Sequence, residues 1–182
     1  MRTTTQRITL LAVGIALFVA LSLCLQVPVF ENYYLCLGYA VMAVYCYSFG
    51  ALSGTIIGIF GVVLYCLVIS GLRGMPGWAL GNVSIGIILG LTFIKTKLLK
   101  NTVVKCVINA AAILIAAAIG ILGIKSLTEC ILYAQPFIIR IGKNTYAFIA
   151  DAVMLWISIP ICMLLDPTAK KLFPALYRPQ CD

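Results

Sequence analysis

Between Glu31 and Arg73 the chain runs for 41 residues without an Asp, Glu, Lys or Arg. As a helix at about 1.5 Å per residue this stretch would reach roughly 60 Å, about twice the ~30 Å hydrocarbon core of a bilayer. It therefore holds two membrane crossings. Two more charge-free gaps follow the same logic, from Arg7 to Glu31 and from Lys105 to Lys125. Hydrophobic residues make up 63 % of the chain and charged ones 10 %, far outside the range of soluble domains. The apolar runs are continuous rather than alternating, which favours helices over the strands of a membrane barrel. The expected fold class is an all-α integral membrane protein.

Six spans are predicted in one domain over residues 1–182, at about 8–29, 35–48, 50–71, 78–94, 103–124 and 146–165. The first apolar run, about 22 residues, is longer than the 7 to 15 of a signal-peptide core, so it reads as an uncleaved span. Residues 26–34, with Pro28, Glu31, Asn32 and two tyrosines, read as an interfacial loop. Tyr45, Tyr47 and Phe49 stand where an aromatic belt is expected. Met75-Pro76-Gly77 reads as the turn before the fourth span. Residues 125–143, polar and broken by Pro136, read as a long structured lid, and Asp166-Pro167 as the cap of a short separate helix.

An even number of spans puts both termini on one side, together with Lys95, Lys97, Lys100, Lys105, Lys170 and Lys171. That side collects nine cations, Arg2, Arg7 and Arg178 included, against Arg73, Lys125, Arg140 and Lys143 on the other. The positive-inside rule then places both termini in the cytoplasm. The net charge of +8 would suggest nucleic acid in a soluble protein. Here topology and lipid contact account for it, and no nucleic-acid partner is expected.

Small residues at four-residue spacing let helices approach closely. Gly50, Gly54, Gly58 and Gly61 form such a stripe in span three, and Gly86 and Gly90 repeat the spacing in span four, so these two read as a tight hairpin. Ala12, Ala16 and Ala20 form a second stripe in span one. It can pack inside the bundle or dock another membrane subunit.

Asp151 is the one carboxylate inside a predicted span, about 10 Å below the surface if that span starts near Asn144. Asn144, Phe148, Asp151 and Leu155 share a face. A buried carboxylate is costly, so Asp151 should pair with Arg140, Lys143, Arg73 or a ligand. Trp78 and Asn82, four residues apart, can stack a flat ring and hydrogen-bond its edge, though a belt tryptophan explains Trp78 as simply. Tyr33, Tyr34, Tyr133, Gln135 and Tyr146 are weaker candidates, and Asn109 reads as interhelical glue.

Several chemistries lack their residues. The chain has no histidine, which removes Ser-His, Cys-His and HExxH sets. Its eight cysteines show no metal-ligand pairing, and most fall in apolar runs. No metal site or disulfide framework is expected. No GxxxxGK[ST] motif is present, so ATP hydrolysis by the chain alone is not expected, and no base, nucleophile or metal set points to an enzyme.

The Ala-xxx-Ala-xxx-Ala first span, the Phe-Gly-xxx-Gly-xxx-Gly third span, the short Gly-Trp loop before a glycine-bearing fourth span and the Tyr-Ala-Gln-Pro segment before the sixth resemble S components of energy-coupling-factor (ECF) vitamin transporters. The resemblance implies a six-helix subunit of the bacterial cytoplasmic membrane that captures a vitamin or related micronutrient from outside. It implies docking on a T subunit through Ala12, Ala16 and Ala20, with two ATPase subunits using ATP and no cofactor in this chain. Carried over by position, the pocket candidates are Arg73, Trp78, Asn82, Tyr133, Gln135, Arg140, Asn144 and Asp151. Fold does not name the solute. A self-contained channel or ion-coupled carrier, or a membrane assembly subunit, is the alternative.

Overall fold

The computed structural model describes residues 2–24, 27–30, 33–69, 71–174 and 176–177. Glu31, Asn32 and Arg178 lie outside them. Seven helices, one of them preceded by a π-helical segment, and one small hairpin make up the described chain: α1 (Arg2–Cys24), β1 (Val27–Phe30), β2 (Tyr33–Leu35), α2 (Gly38–Phe49), α3 (Ala51–Val68), α4 (Met75–Lys97), α5 (Thr102–Ala117), a π-helical segment (Ala118–Lys125), α6 (Ser126–Tyr133) and α7 (Phe137–Leu172). Five stretches are long and apolar enough to cross a membrane: Thr4–Cys24, Ala51–Val68, Met75–Lys97, Thr102–Tyr133 and Phe137–Leu172. The predicted second span is the exception. At 12 residues, α2 covers only about 18 Å.

That short helix is the centre of the bundle. Gly38, Tyr39, Val41, Met42, Ala43, Tyr45, Cys46, Tyr47 and Ser48 are all buried, so α2 is sheathed on nearly every side. Tyr45 and Tyr47 are therefore core residues and not an interfacial belt: Tyr45 Oη donates to Leu10 O at 3.0 Å, and the Tyr47 ring packs on Phe93. Gly50, at φ 90°, joins α2 to α3 in a backbone conformation that a side chain would strain.

Glycines set the spacing around α2, though not as one hairpin stripe. A Cβ on Gly54 would strike Cys46, one on Gly58 would come within 2.8 Å of Met42, and one on Gly61 would come within 2.5 Å of Phe18. These α3 glycines thus admit α2 and α1. The α3–α4 contact uses the other partner's glycines, since Gly86 lies on Thr55 and Gly90 on Ala51. Gly81 and Gly120 meet where α4 crosses the π segment, each within 2.8 Å of the other's carbonyl once a Cβ is added. Close backbone approach of this kind is how helices associate where lipid provides no hydrophobic drive.

The largest departures from expectation lie between residues 125 and 143. That stretch is helical except at Ala134–Pro136, and it carries the ends of two long rods rather than a lid. Ala134, left-handed at φ 50°, stops α6, and Pro136 sits at the N-cap of α7, where a missing N–H costs nothing. The polar residues that suggested a loop are satisfied by each other across the α6–α7 seam. Pro76 likewise lies in the first turn of α4, so Met75-Pro76-Gly77 begins the helix instead of turning before it. At the other end, α7 continues through Pro167 to Leu172, and Asp166 is an ion-pair partner, not a cap. In the stretch expected to be a loop, β1 and β2 pair antiparallel, with Val27 opposite Leu35.

The helices have two ends. At one, the lysine end, Lys97 Nζ lies 2.7 Å from Asp166 Oδ1 and 3.0 Å from Tyr177 Oη, while Tyr177 Oη donates to Asp166 Oδ2 at 2.6 Å and Ser48 Oγ to Asp166 Oδ1 at 3.3 Å. Asn101 caps α5 by accepting from Val103 N and Val104 N. Asn109 joins α4 to α5, as expected, by accepting from Thr96 Oγ1 at 2.8 Å. At the other end the chain opens into the cavity described next.

Candidate functional site

Two adjoining chambers open at the end opposite Lys97. The inner one, about 220 Å³, is lined by Ser22, Leu35, Cys36, Tyr65, Cys66, Ile69, Gly71, Gly74, Trp78, Lys125, Ala147 and Asp151. The entrance chamber, about 530 Å³, shares Gly71, Gly74, Trp78 and Lys125 with it and adds Arg73, Glu129, Tyr133, Arg140, Lys143 and Asn144. Ligand pockets for compounds of drug size run from about 300 to 1,000 Å³. Because α1, α3, α4 and α7 converge on α2 and α2 begins only at Gly38, the space above its N-terminus is left open, and the longer helices wall it in.

One wall is held by a hydrogen-bonded chain. Trp78 Nε1 donates to Tyr39 Oη at 2.8 Å, Tyr39 Oη donates to Asn82 Oδ1 at 2.8 Å, and Asn82 Nδ2 donates to Gly58 O at 2.9 Å. Tyr39 and Asn82 are fully buried, so each group's partner offsets the cost of taking it out of water. The indole is fixed at its polar edge by this chain and on its side by Tyr65, edge-on at 5.6 Å. A ring so held presents a rigid face to the inner chamber. Lys125 stands 5.9 Å above it.

Asp151 is 6 % exposed, beside the Tyr39 hydroxyl and in the field of Lys125. The cation that lines the inner chamber with it is Lys125, at the end of the π segment. Arg140, Lys143 and Arg73, the partners expected from sequence, line the entrance chamber instead. The shared face of Asn144, Asp151 and Leu155 is buried, as the spacing predicts.

The α6–α7 seam forms the opposite wall. Asn144 Nδ2 donates to Ser126 Oγ at 3.0 Å and to Glu129 Oε2 at 3.1 Å, and Arg140 reaches the same Glu129 oxygen at 3.4 Å. Ser126 Oγ in turn donates to Ile121 O at 3.2 Å, five residues back along the π segment. The Tyr133 ring receives two guanidinium groups, Arg73 at 5.0 Å and Arg140 at 5.2 Å. Such contacts each contribute about 0.5–1 kcal/mol when exposed.

Of the residues expected at the site, Trp78 and Asp151 line the inner chamber, and Arg73, Trp78, Tyr133, Arg140 and Asn144 line the entrance. Asn82 sits one layer behind, acting on Trp78 through Tyr39. Gln135 lines neither chamber, and its Oε1 is buried without a hydrogen-bond partner. Residues not expected are Ser22, Cys36, Tyr65 and Tyr39, all inside apolar runs where no local signal marks them. Lys125 and Glu129 carried a signal, being the first two charged residues after the predicted span five. Ala12, Ala16 and Ala20 are exposed along α1, whose buried face is Gly14, Phe18 and Ser22.

No curated protein matches the chain. The family described as ECF-type riboflavin transporter, S component, matches residues 2–166. That match covers α1 through Asp166 and so includes both chambers and the exposed alanine stripe. The family is one of transporter membrane subunits and not an enzyme family, and the chain, with its apolar helices and its cavity at one end, belongs to the ECF-type riboflavin transporter S component family.

Proposed function

We propose that the chain is the substrate-binding subunit of an ECF-type importer, taking a ring-bearing micronutrient from outside the cell into the two chambers. The observation that carries this reading is the rigid Trp78 face, anchored through Tyr39 and Asn82, opposite the Asp151 carboxylate in a partly enclosed space. Stacking on the indole would hold a flat ring, and the carboxylate would accept a hydrogen bond from a ring N–H. The family name makes riboflavin the first candidate. No step of bond-making chemistry is assigned to the chain.

In this reading α2 is a sixth, shortened crossing completed by the β1–β2 hairpin. Both termini face the cytoplasm of a bacterial cell membrane, and the chambers face outward. The exposed Ala12, Ala16 and Ala20 meet the T subunit, and two ATPase subunits bind and hydrolyse ATP. The reading as a self-contained channel is disfavoured, because the core between Asp151 and the lysine end is filled by Phe18, Ile57, Ile85, Leu89 and Leu155, each fully buried.

The test is thermal unfolding of the purified chain in detergent with riboflavin and a panel of other B vitamins. A ligand at a hundred times its Kd should add about 2.7 kcal/mol of stability to the folded state. A raised midpoint with one compound, lost in Trp78→Ala, is the expected result. No response to any compound in the panel would sink the binding role. Docking is tested separately: Ala16→Leu should abolish uptake in cells while the isolated subunit still binds, and undiminished uptake would remove the alanine face from the reading.

A further inference from the structure

Resting on the reading of the two chambers as the substrate site, we propose that the entrance chamber is a subsite for an anionic group. The preferred substrate then carries a phosphate or carboxylate on its tail, with its ring in the inner chamber.

Charge counted along the sequence leaves this open, because Glu129 stands near Arg73, Lys125, Arg140 and Lys143 and could neutralise them. The fold confines that effect to Arg140. Glu129 is 5 % exposed, and its Oε2 is shared between Asn144 and Arg140 in the α6–α7 seam. It lines the chamber, and its charge is already held there by Arg140 and Asn144. Arg73 and Lys143 are exposed on the chamber walls, and among the described residues neither forms an ion pair. Arg140 holds Glu129 with Nη1 only, and its Nε is buried with no acceptor. An unmet buried donor of this kind is costly unless something else supplies the acceptor.

Arg73 and Arg140 also converge on one ring, that of Tyr133. Two guanidinium groups held on one ring carry like charge, and an anion bound beside them would offset it. The planar fork of arginine fits the oxygens of phosphate or carboxylate in pairs. The inner chamber offers an anion no net positive charge, because Asp151 lines it with Lys125. A net positive entrance over a balanced inner chamber thus orients a substrate ring inward and acid outward.

The experiment measures binding to the full chain in a neutral detergent, using matched pairs: riboflavin and riboflavin 5′-phosphate, pyridoxine and its 5′-phosphate, nicotinamide and nicotinate. In at least one pair the anionic member should bind about tenfold tighter or more, a gap that shrinks as salt is raised. Arg73→Gln and Lys143→Gln should each narrow the gap, and Lys170→Gln, at the lysine end, should leave it as it is. If the neutral member binds as tightly in every pair that binds, the anionic subsite is wrong and the two-chamber site still stands. An equal narrowing in Lys170→Gln would also overturn it, by making the effect one of overall charge. If no member of any pair binds, the site reading itself fails. Adding phosphatidylglycerol separates a lipid headgroup from a solute: loss of the gap on its addition would make lipid phosphate the occupant and overturn the substrate assignment.

Discussion

At the lysine end Lys97 and Asp166 are 8 % and 20 % exposed, and Tyr47, Tyr177 and Ser48 surround them. The cation lies 4.5 Å from both tyrosine rings, and every charged atom has a partner in the protein. At the opposite end Arg73 and Lys143 form no ion pair among the described residues, Arg140 has an unmet Nε, and Asp151 shares a cavity with Lys125. The first arrangement holds helices together; the second leaves charge available to something that arrives. In a bundle with so few charged side chains, the contrast separates stability from function along a single axis.

The sharpest way to break this contrast is at Lys97. Lys97→Ala leaves Asp166 largely buried without its cation, which should cost about 3 kcal/mol, toward the low end for a broken buried pair because Asp166 keeps some solvent. Unfolding of the ligand-free protein measures it. A loss below about 0.5 kcal/mol would mean the lysine end holds nothing together. Next in size is Asn82→Leu, which removes the acceptor of Tyr39 and the donor to Gly58. It should cost about 2 kcal/mol and also weaken ligand binding by loosening Trp78. Unchanged binding in that variant would detach the buried chain from the site.

Much of this was legible in the sequence. Charge-free gaps located the apolar helices, and the one carboxylate inside a predicted span, Asp151, lines the inner chamber. What could not be read were pairings across the bundle. Ser126, Glu129 and Asn144 satisfy one another between two helices, so a polarity count mistakes the seam for a loop. Tyr39 lies in an apolar run and becomes a site residue only because α2 ends beneath the cavity. Lys125 comes to line the same chamber as Asp151 through a helical segment whose irregularity has no marker in composition.

Two smaller effects refine the comparison. Asp151→Asn should lower ligand affinity about tenfold, the loss of one charged hydrogen bond of about 1.5 kcal/mol, and leave helix content unchanged. Equal affinity in titration calorimetry would make the carboxylate structural. Arg73→Ala should shift unfolding by no more than about 0.5 kcal/mol, as expected for an exposed group that holds no partner carboxylate. A larger loss would place Arg73 with the lysine end in kind, as a brace.

The π segment from Ala118 to Lys125 gives the site its phase. Each i to i+5 closure carries one residue more than an α turn, and one residue turns a helix by about 100°. Everything after Lys125 therefore points where it does because of a surplus residue eight or more positions before Tyr133. Deleting it would restore a regular rod and swing Glu129 and Tyr133 about a quarter turn away from the chamber, with no residue of the wall changed. The azimuth of that wall is encoded in a count, not in a side chain.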